Sequence, residues 1–541
     1  MNLDAKVEKG ETMKAGIVQI GLYVVFFALV GCGGNDSNRD NQNFSSLGSS
    51  ITNSSASNSS TSVNNSAIEN SSALSSVSSV QANSAMSLSS LSSSGAAQSS
   101  VAKELFINAL FNKGGSLSPY SHVAINSGET RAFTATPESG YRLAGTYGCN
   151  SRIEMGQVIA GPITQSCVMN VSFVRAGSLA DQLNLTDRGL IRCITEMEDK
   201  SVTPITAASI KSLVCGNLFD PVSSYEELTL FPNLESLSLT STRLKGSWNF
   251  GFFQKLTRLN LHDNELDAVD VSQNIKLTHL SLGKNRLTQI NLVPLVNLLE
   301  FSAENNQLGA IDLTANTQLT ALDLADNQLQ SLQVAHLAQL TQLNVSRNQL
   351  TALDYSNNVR LVDLSIGWNK IASVDLSMLP ELVALNIGGL NVERVDLSFN
   401  KKLVDLKLME NKLTELDVSM LPLLEKLSVY KNHLTALDLT FNTKLADVNL
   451  LDNRLTQMDV SKLIDLKVLW ATYNQITSIN LSNNNQLQWV LLTDNKLTSV
   501  SGVEKLDKKT ELDFSRNPLD AATKSYLFEL YDKQGYENLS F

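Results

Sequence analysis

The sequence predicts a β-strand-lined solenoid of 21-residue coils, preceded by a small all-β domain and a disordered Ser/Asn-rich linker. Three observations carry this. Leucine heads a repeated pattern at Leu256, Leu277, Leu298, Leu319, Leu340, Leu361, Leu382, Leu403, Leu424, Leu445, Leu466 and Leu487, spaced by 21 each time. An asparagine follows eight residues after almost every one of these leucines. Composition changes sharply near residue 104, from Ser/Asn-dominated to apolar alternation. Repeats of 20–50 residues are the signature of stacked units that bury a core only against their neighbours.

The whole chain has 541 residues, a net charge of −11 and 43% hydrophobic residues. That length exceeds one ordinary compact domain, and the apolar fraction suffices for a core. The acidic balance argues against nucleic acid, which needs a basic face. There is no phosphate-loop glycine run, HExxH, GxSxG or CxxC, so nothing in the motifs points to an enzyme or a cofactor.

Residues 15–31 form an almost uncharged apolar stretch ending at Leu29-Val30-Gly31-Cys32. The run suits a signal-peptide core, and it is near the minimum for a membrane span. The LVGC sequence resembles the lipobox of bacterial lipoproteins. That resemblance implies cleavage after Gly31 and lipidation of Cys32, and Gly33 in place of an acidic residue points to the outer membrane or cell surface. A plain transmembrane anchor is the alternative. Asp4, Glu8 and Glu11 are unusual upstream of such a core, and Met13-Lys14 makes a more typical start. Residues 32–103 read as a lipidated cysteine followed by a tether, too poor in apolar residues to offset the entropy of ordering. As a coil, its Ser/Asn-rich part spans about 45 Å.

Residues 104–175 read as a small β-domain. Leu105-Phe106-Ile107, Arg131–Ala135 and Val168–Phe173 alternate, with turn residues between them. Cys149 and Cys167 flank a hairpin and are expected to pair in an exported, oxidised chain. Closure of that loop is worth roughly 3 kcal/mol. The stretch GGSLSP…SGETRAFTATPESGYRLAGTYGC…ITQSCVMNVSF resembles the short β-repeat modules of bacterial surface proteins, which implies a spacer or adhesive role.

Residues 176–233 are expected to cap the array, stapled by Cys193–Cys215. Repeats run over 234–519, and residues 520–541 close the array with a helix. Within a repeat, Leu259 and Leu261 alternate inward on a short strand, and Asn264 turns the chain. The asparagines at 264, 285, 306, 327, 348, 369, 411, 432, 453, 474, 495 and 517 are expected to stack as a ladder that Leu390 interrupts beside Gly388-Gly389. The pattern L-x-x-L-x-L-x-x-N-x-L resembles that of bacterial leucine-rich repeat proteins, including internalin-like ones. From fourteen strands the array would be about 65–70 Å long.

Two further columns stand out. Asn274, Leu295, Asn316, Leu337, Asn358, Leu379, Asn400, Leu421, Asn442, Leu463 and Asn484 alternate without exception, so the unit is either 42 residues or a trace of duplication. Asp354, Asp375, Asp396, Asp417, Asp438 and Asp459 stack as like charges. Either each accepts backbone N–H bonds from the adjacent coil, or a cation compensates them.

The family resemblance implies ligand binding on the concave strand face. There the outward positions are small and polar until the C-terminal third, where Lys407, Met409, Tyr430, Leu451, Trp470, Tyr473, Trp489 and Leu491 appear. Trp368 falls on the same face by register. Clustered exposed aromatics have the composition of a binding hot spot, and packing by the cap or a homodimer is the alternative. The expected partner is a protein, with a polysaccharide next and a ligand-free scaffold third. His122, His262, His279, His336 and His433 are scattered, with His262 and His279 on adjacent strands.

Overall fold

A computed structural model describes residues 104–216, 222 and 225–541. Cys32, the apolar stretch before it and the tether lie outside the described residues.

The small domain packs two four-stranded sheets face to face. Its strands are β1 (Leu105–Phe111), β2 (Gly115–Ser118), β3 (Ser121–Ile125), β4 (Arg131–Pro137), β5 (Tyr141–Tyr147), β6 (Arg152–Glu154), β7 (Gln157–Ala160) and β8 (Cys167–Arg175). One sheet runs β3-β1-β8-β5 and the other β2-β4-β7-β6. Period-two alternation in β1 and β8 puts Ile107, Met169, Val171 and Phe173 inward, against Phe133 and Val158 of the second sheet. Cys149 and Cys167 form a disulfide, with Cα atoms 5.5 Å apart.

Strand β8 leads into the cap. Ser178 opens the helical turn Leu179–Gln182 by accepting the Asp181 N–H, and Asp187 opens the helix Arg188–Lys200 by accepting the Leu190 N–H. Leu190, Ile191 and Ile194 of that helix join the core of the array. Cys193 is bonded to Cys215, just after the first strand, Ser212–Val214. Arg142 pairs with Asp181, and Arg175 with Asp199 at 2.9 Å, so the small domain is tied to the cap by charge as well as by Val174.

The array itself is one parallel sheet of sixteen strands, nearly all three residues long. Nearly every strand buries its central residue and shows its two flanking ones, as in Arg258–Asn260 and Gln342–Asn344, whereas Glu300–Ser302 buries Ser302 as well. The chain end adds Leu539–Ser540 after the closing helix Ala521–Gln534, a strand the leucine period does not announce. One core runs from Val174 to Leu539 without a break.

The asparagine ladder holds the coils in register. In Asn348 the side-chain N–H groups donate to Leu324 O of the preceding coil at 2.8 Å and to Val345 O of its own at 3.1 Å. Its Oδ1 accepts the Leu329 N–H at 2.9 Å. A buried amide thus satisfies three backbone groups that the tight coil would otherwise orphan. Ladder formation also fixes the residue before each asparagine in the left-handed region, from Asp263 (φ 60°) to Arg516 (φ 55°). At Leu390 no amide is available; Gly389 before it (φ 67°) and Asn391 after it (φ 63°) are left-handed, and Leu390 itself is not.

The alternating column has a structural meaning. Asn316 Nδ2 donates to Leu292 O at 3.0 Å and Leu295 O at 2.9 Å, both on the preceding coil. Asn274, Asn358, Asn400, Asn442 and Asn484 do the same. The intervening leucines form the same backbone turn without an amide, as in Leu379 N–H to Leu376 O at 3.1 Å. The repeat unit is therefore a hydrogen-bonded pair of unlike coils. The Leu390 gap falls at a coil boundary that Asn400 ties from this second column.

The aspartate column differs from expectation. Each carboxylate accepts the N–H two residues ahead in its own coil, not from the adjacent one: Asp375 from Ser377 at 3.0 Å, Asp396 from Ser398 at 2.9 Å, Asp438 from Thr440 at 2.9 Å. This is the local turn that Asp and Asn side chains form readily. The bonds hold these carboxyls below the usual range, against the weaker opposing push of their neighbours.

Candidate functional site

The strand face presents its columns as ordered rows, because every coil repeats one geometry. In the C-terminal third the rows turn apolar. Trp470 lies beside Leu491 and Asn449 on neighbouring strands, and Val468 lies beside Trp489. Trp470 is 38% exposed and Trp489 44%, so both indoles present surface that the array does not cover. Tyr473, 52% exposed, stands on the rim formed by the left-handed positions. Leu491 is half-buried beside Trp470, and Leu451 is half-buried on the neighbouring coil. Met409 and Tyr430, also half-buried, lie further along the stack: Met409 against Gly388, and Tyr430 beside Glu410 and Lys431, where burial pushes its hydroxyl up. Val468 completes the patch; its β-branched side chain drew no notice in the sequence because valine is ordinary in a strand.

Trp368 does not join this patch. It lies five coils away, about 24 Å at ordinary strand spacing. Its indole is held from both sides. The Arg347 guanidinium sits 4.4 Å from the ring centroid, and the indole N–H serves Glu410 two coils on. The ring passes over Gly389, where an added Cβ would come within 2.6 Å of it. Glu410 also pairs with Lys431 at 2.8 Å, which holds its carboxyl low. Trp368 is thus a brace across the interrupted coil. Glu304 uses the same device: it lies over Gly283, where an added Cβ would meet Glu304 Oε1 at 2.0 Å, and reaches His262 at 3.1 Å.

Lys407 is engaged as well. Its Nζ bonds Asp405 Oδ2 at 2.9 Å. Asp363 and Asp447 share its surroundings, and burial pushes the Asp363 carboxyl up to about 6 and Asp447 upward. Burial also takes Asp323 to about 6, with Glu304 adding to the push. His262 and His279 do not pair with each other. Each faces a glutamate, His279 meeting Glu300 at 3.5 Å, and burial lowers the His279 imidazole. His336 and His433 bond backbone carbonyls, and His122 stacks on Phe106. Among the described residues no cluster of three or more His, Cys, Asp or Glu is placed to hold a metal ion, and no helix is long and apolar enough to cross a membrane.

A leucine-rich repeat family profile matches residues 315–332 and 430–448, two pieces of the stack whose geometry is described above. The array is a leucine-rich repeat solenoid. No curated protein sequence matches the chain. Among solved structures, the functional domain of InlJ from Listeria monocytogenes, which includes a cysteine ladder, is 25% identical; the match covers 62% of this chain and 74% of that one, with a TM-score of 0.48. A leucine-rich repeat protein of Leptospira interrogans is 24% identical over 60% of this chain and 89% of its own, with a TM-score of 0.47. The Arabidopsis receptor kinase HAESA, solved with the peptide hormone IDA and the co-receptor SERK1, is 20% identical over 63% and 69%, with a TM-score of 0.49. The described disulfides of this chain lie in the β-domain and the cap.

Proposed function

We propose that this protein is a surface-anchored lipoprotein that recognises a partner protein through the C-terminal third of its leucine-rich repeat strand face. The observation that carries the reading is the pair of exposed indoles, Trp470 and Trp489, on adjacent strands beside Leu491 and Val468. Large aromatic surface is costly to leave in water and is enriched where binding energy concentrates. Half-buried Leu451 borders it, Tyr430 lies further along the stack, and the acidic rim residues Asp452 and Asp494 supply polar edges. The anchoring rests on Leu29-Val30-Gly31-Cys32 and on the resemblance of that sequence to a lipobox. Gly33 after the cysteine supports an outer-membrane or cell-surface position, with the Ser/Asn-rich segment as the tether. The role is adhesion or recognition, without catalysis.

The test uses the immobilised full-length protein and a Trp470→Ala/Trp489→Ala variant whose melting matches the wild type. Envelope and host-surface extracts are passed over both. A protein retained by the wild type and lost from the variant is the expected result. Equal retention by both would move the site off this patch. Purified envelope polysaccharide forms a separate arm, because both indoles are exposed and aromatic surface also suits a sugar ring. The lipid anchor is tested apart: labelled palmitate enters the wild type and not Cys32→Ala.

A further inference from the structure

Four large apolar side chains, Met378, Phe399, Met420 and Phe441, occupy the same place on four consecutive coils, 21 residues apart. Each immediately precedes the buried column residue Leu379, Asn400, Leu421 or Asn442. The corner that turns the column residue inward turns its predecessor outward, and the four are between 44% and 59% exposed. In other coils the place holds Gln273, Pro294, Ala315, His336, Asn357, Lys462 or Asn483, and in the coil before Gln273 an isolated Phe252, 52% exposed. Single exposed apolar residues are ordinary on a protein surface, whereas an unbroken row of four is not.

Charge borders the row on both sides. Three residues earlier on each coil stand Asp375, Asp396, Asp417 and Asp438. Their turn bonds to the N–H groups two residues on keep them ionised, and among the described residues no salt bridge joins them to a cation. The opposite border is mixed: Lys402 is paired with Glu381 at 2.6 Å, and Lys401 and Lys444 are exposed. An anionic lipid surface would be repelled by the aspartates. A purely apolar ligand would leave them uncompensated.

We propose that this flank docks an amphipathic segment of a partner protein, with an apolar stripe against Met378–Phe441 and a basic edge over the aspartates. Its far edge, over Lys401 and Lys444, is acidic or polar. A helix laid across the coils suits the spacing. Its turns recur about every 5.4 Å, close to the roughly 4.8 Å step between coils, so residues at i, i+4 and i+7 meet successive coils. This surface lies at the corner before each strand and is separate from the indole patch.

The experiment measures the anisotropy of a fluorescein-labelled 18-residue helical peptide with a leucine stripe, one lysine edge and one glutamate edge, titrated with the full-length protein. Saturable binding that weakens with added salt is expected. Phe399→Ser/Phe441→Ser should weaken it at least tenfold. Asp396→Asn/Asp417→Asn should weaken it severalfold and flatten the salt dependence. The latter keeps the turn acceptor, as Asn291 and Asn480 do in the natural column, so its fold is preserved. Trp470→Ala/Trp489→Ala should bind the peptide unchanged. Absence of saturable binding would overturn the proposal, as would equal binding of a peptide with glutamates on both edges. Loss of binding in the tryptophan variant with retention in the phenylalanine variant would overturn it too.

Discussion

The indole of Trp368 lies over Gly389, close enough that a methyl group at 389 would sit 2.6 Å from its Cδ1. The left-handed backbone at residue 389 (φ 67°) adds a strain of its own, one that Trp368 and Glu410 bear at the same place on their coils, and the ring contact comes on top of it. In Gly389→Ala the contact should therefore cost about 1–3 kcal/mol, the range for overpacking. In the double variant Trp368→Ala/Gly389→Ala the part due to the ring contact should vanish, leaving about 1–2 kcal/mol of left-handed strain at residue 389. Urea melts of the four proteins measure the coupling; additivity would mean that the ring does not constrain residue 389.

The two asparagine columns should respond differently to leucine. Asn411 accepts the Val392 N–H at 3.1 Å and donates to Ile387 O and Leu408 O. Asn411→Leu orphans buried backbone groups at about 1–3 kcal/mol each. Asn400 only donates, and its buried Oδ1 has no partner among the described atoms. Its neighbours Leu379 and Leu421 already form that turn. Asn400→Leu should stay within about 1 kcal/mol of the wild type. Equal losses at both positions would contradict the distinct roles assigned to them.

Acid should affect the array in a definite order. The Asp323 and Asp363 carboxyls stand at about 6, above their unfolded value near 4, so the folded state binds the extra protons. Stability from these two groups rises as pH falls from about 7 to about 4. His279, lowered by burial, opposes them in the upper part of that window. The aspartates of the turn column, held low, lose their contribution only below about pH 4. Melting temperature of Asp323→Asn/Asp363→Asn minus that of the wild type should be positive at pH 7.5 and shrink towards pH 4. A flat difference would show that the two carboxyls titrate normally.

Chelation should do nothing to the aspartate column. Each carboxylate already has a backbone N–H partner, and Asp438 a threonine hydroxyl at 2.6 Å in addition. Melting with and without EDTA should coincide. A fall of many degrees would mean that a cation is part of the column.

The two disulfides guard different regions. Cys193→Ala/Cys215→Ala should cost about 2–4 kcal/mol and speed amide exchange across the cap helix and first strand. Cys149→Ala/Cys167→Ala should confine its effect to strands β1–β8. Exchange measured by mass spectrometry separates the two.

The array was readable because its leucines and asparagines recur on one period, and each has a single physical job. Both disulfides followed from where the cysteines fall. What escaped the sequence is what depends on neighbours two coils away. Register puts Trp368 on the strand face, but the gap made by Gly389 lets its ring lie down against the coil. Lys407 likewise projects from the right column and is then taken by Asp405. The row from Met378 to Phe441 was legible in principle at the same period. It went unread because its residues differ from coil to coil and carry no motif.

The pairing of unlike coils has a mechanical meaning. Every second seam along the stack carries an amide clamp from the second column, at Asn274, Asn316, Asn358, Asn400, Asn442 and Asn484, and at Asn400 it stands in for the ladder amide that Leu390 lacks. The seams between lack it. A solenoid pulled from its ends would tear first at the plain seams and release two coils at once. The chain freed in each event would be 42 residues, roughly 140 Å when drawn out. An array loaded at its ends would then yield in doubled steps, giving way two coils at a time.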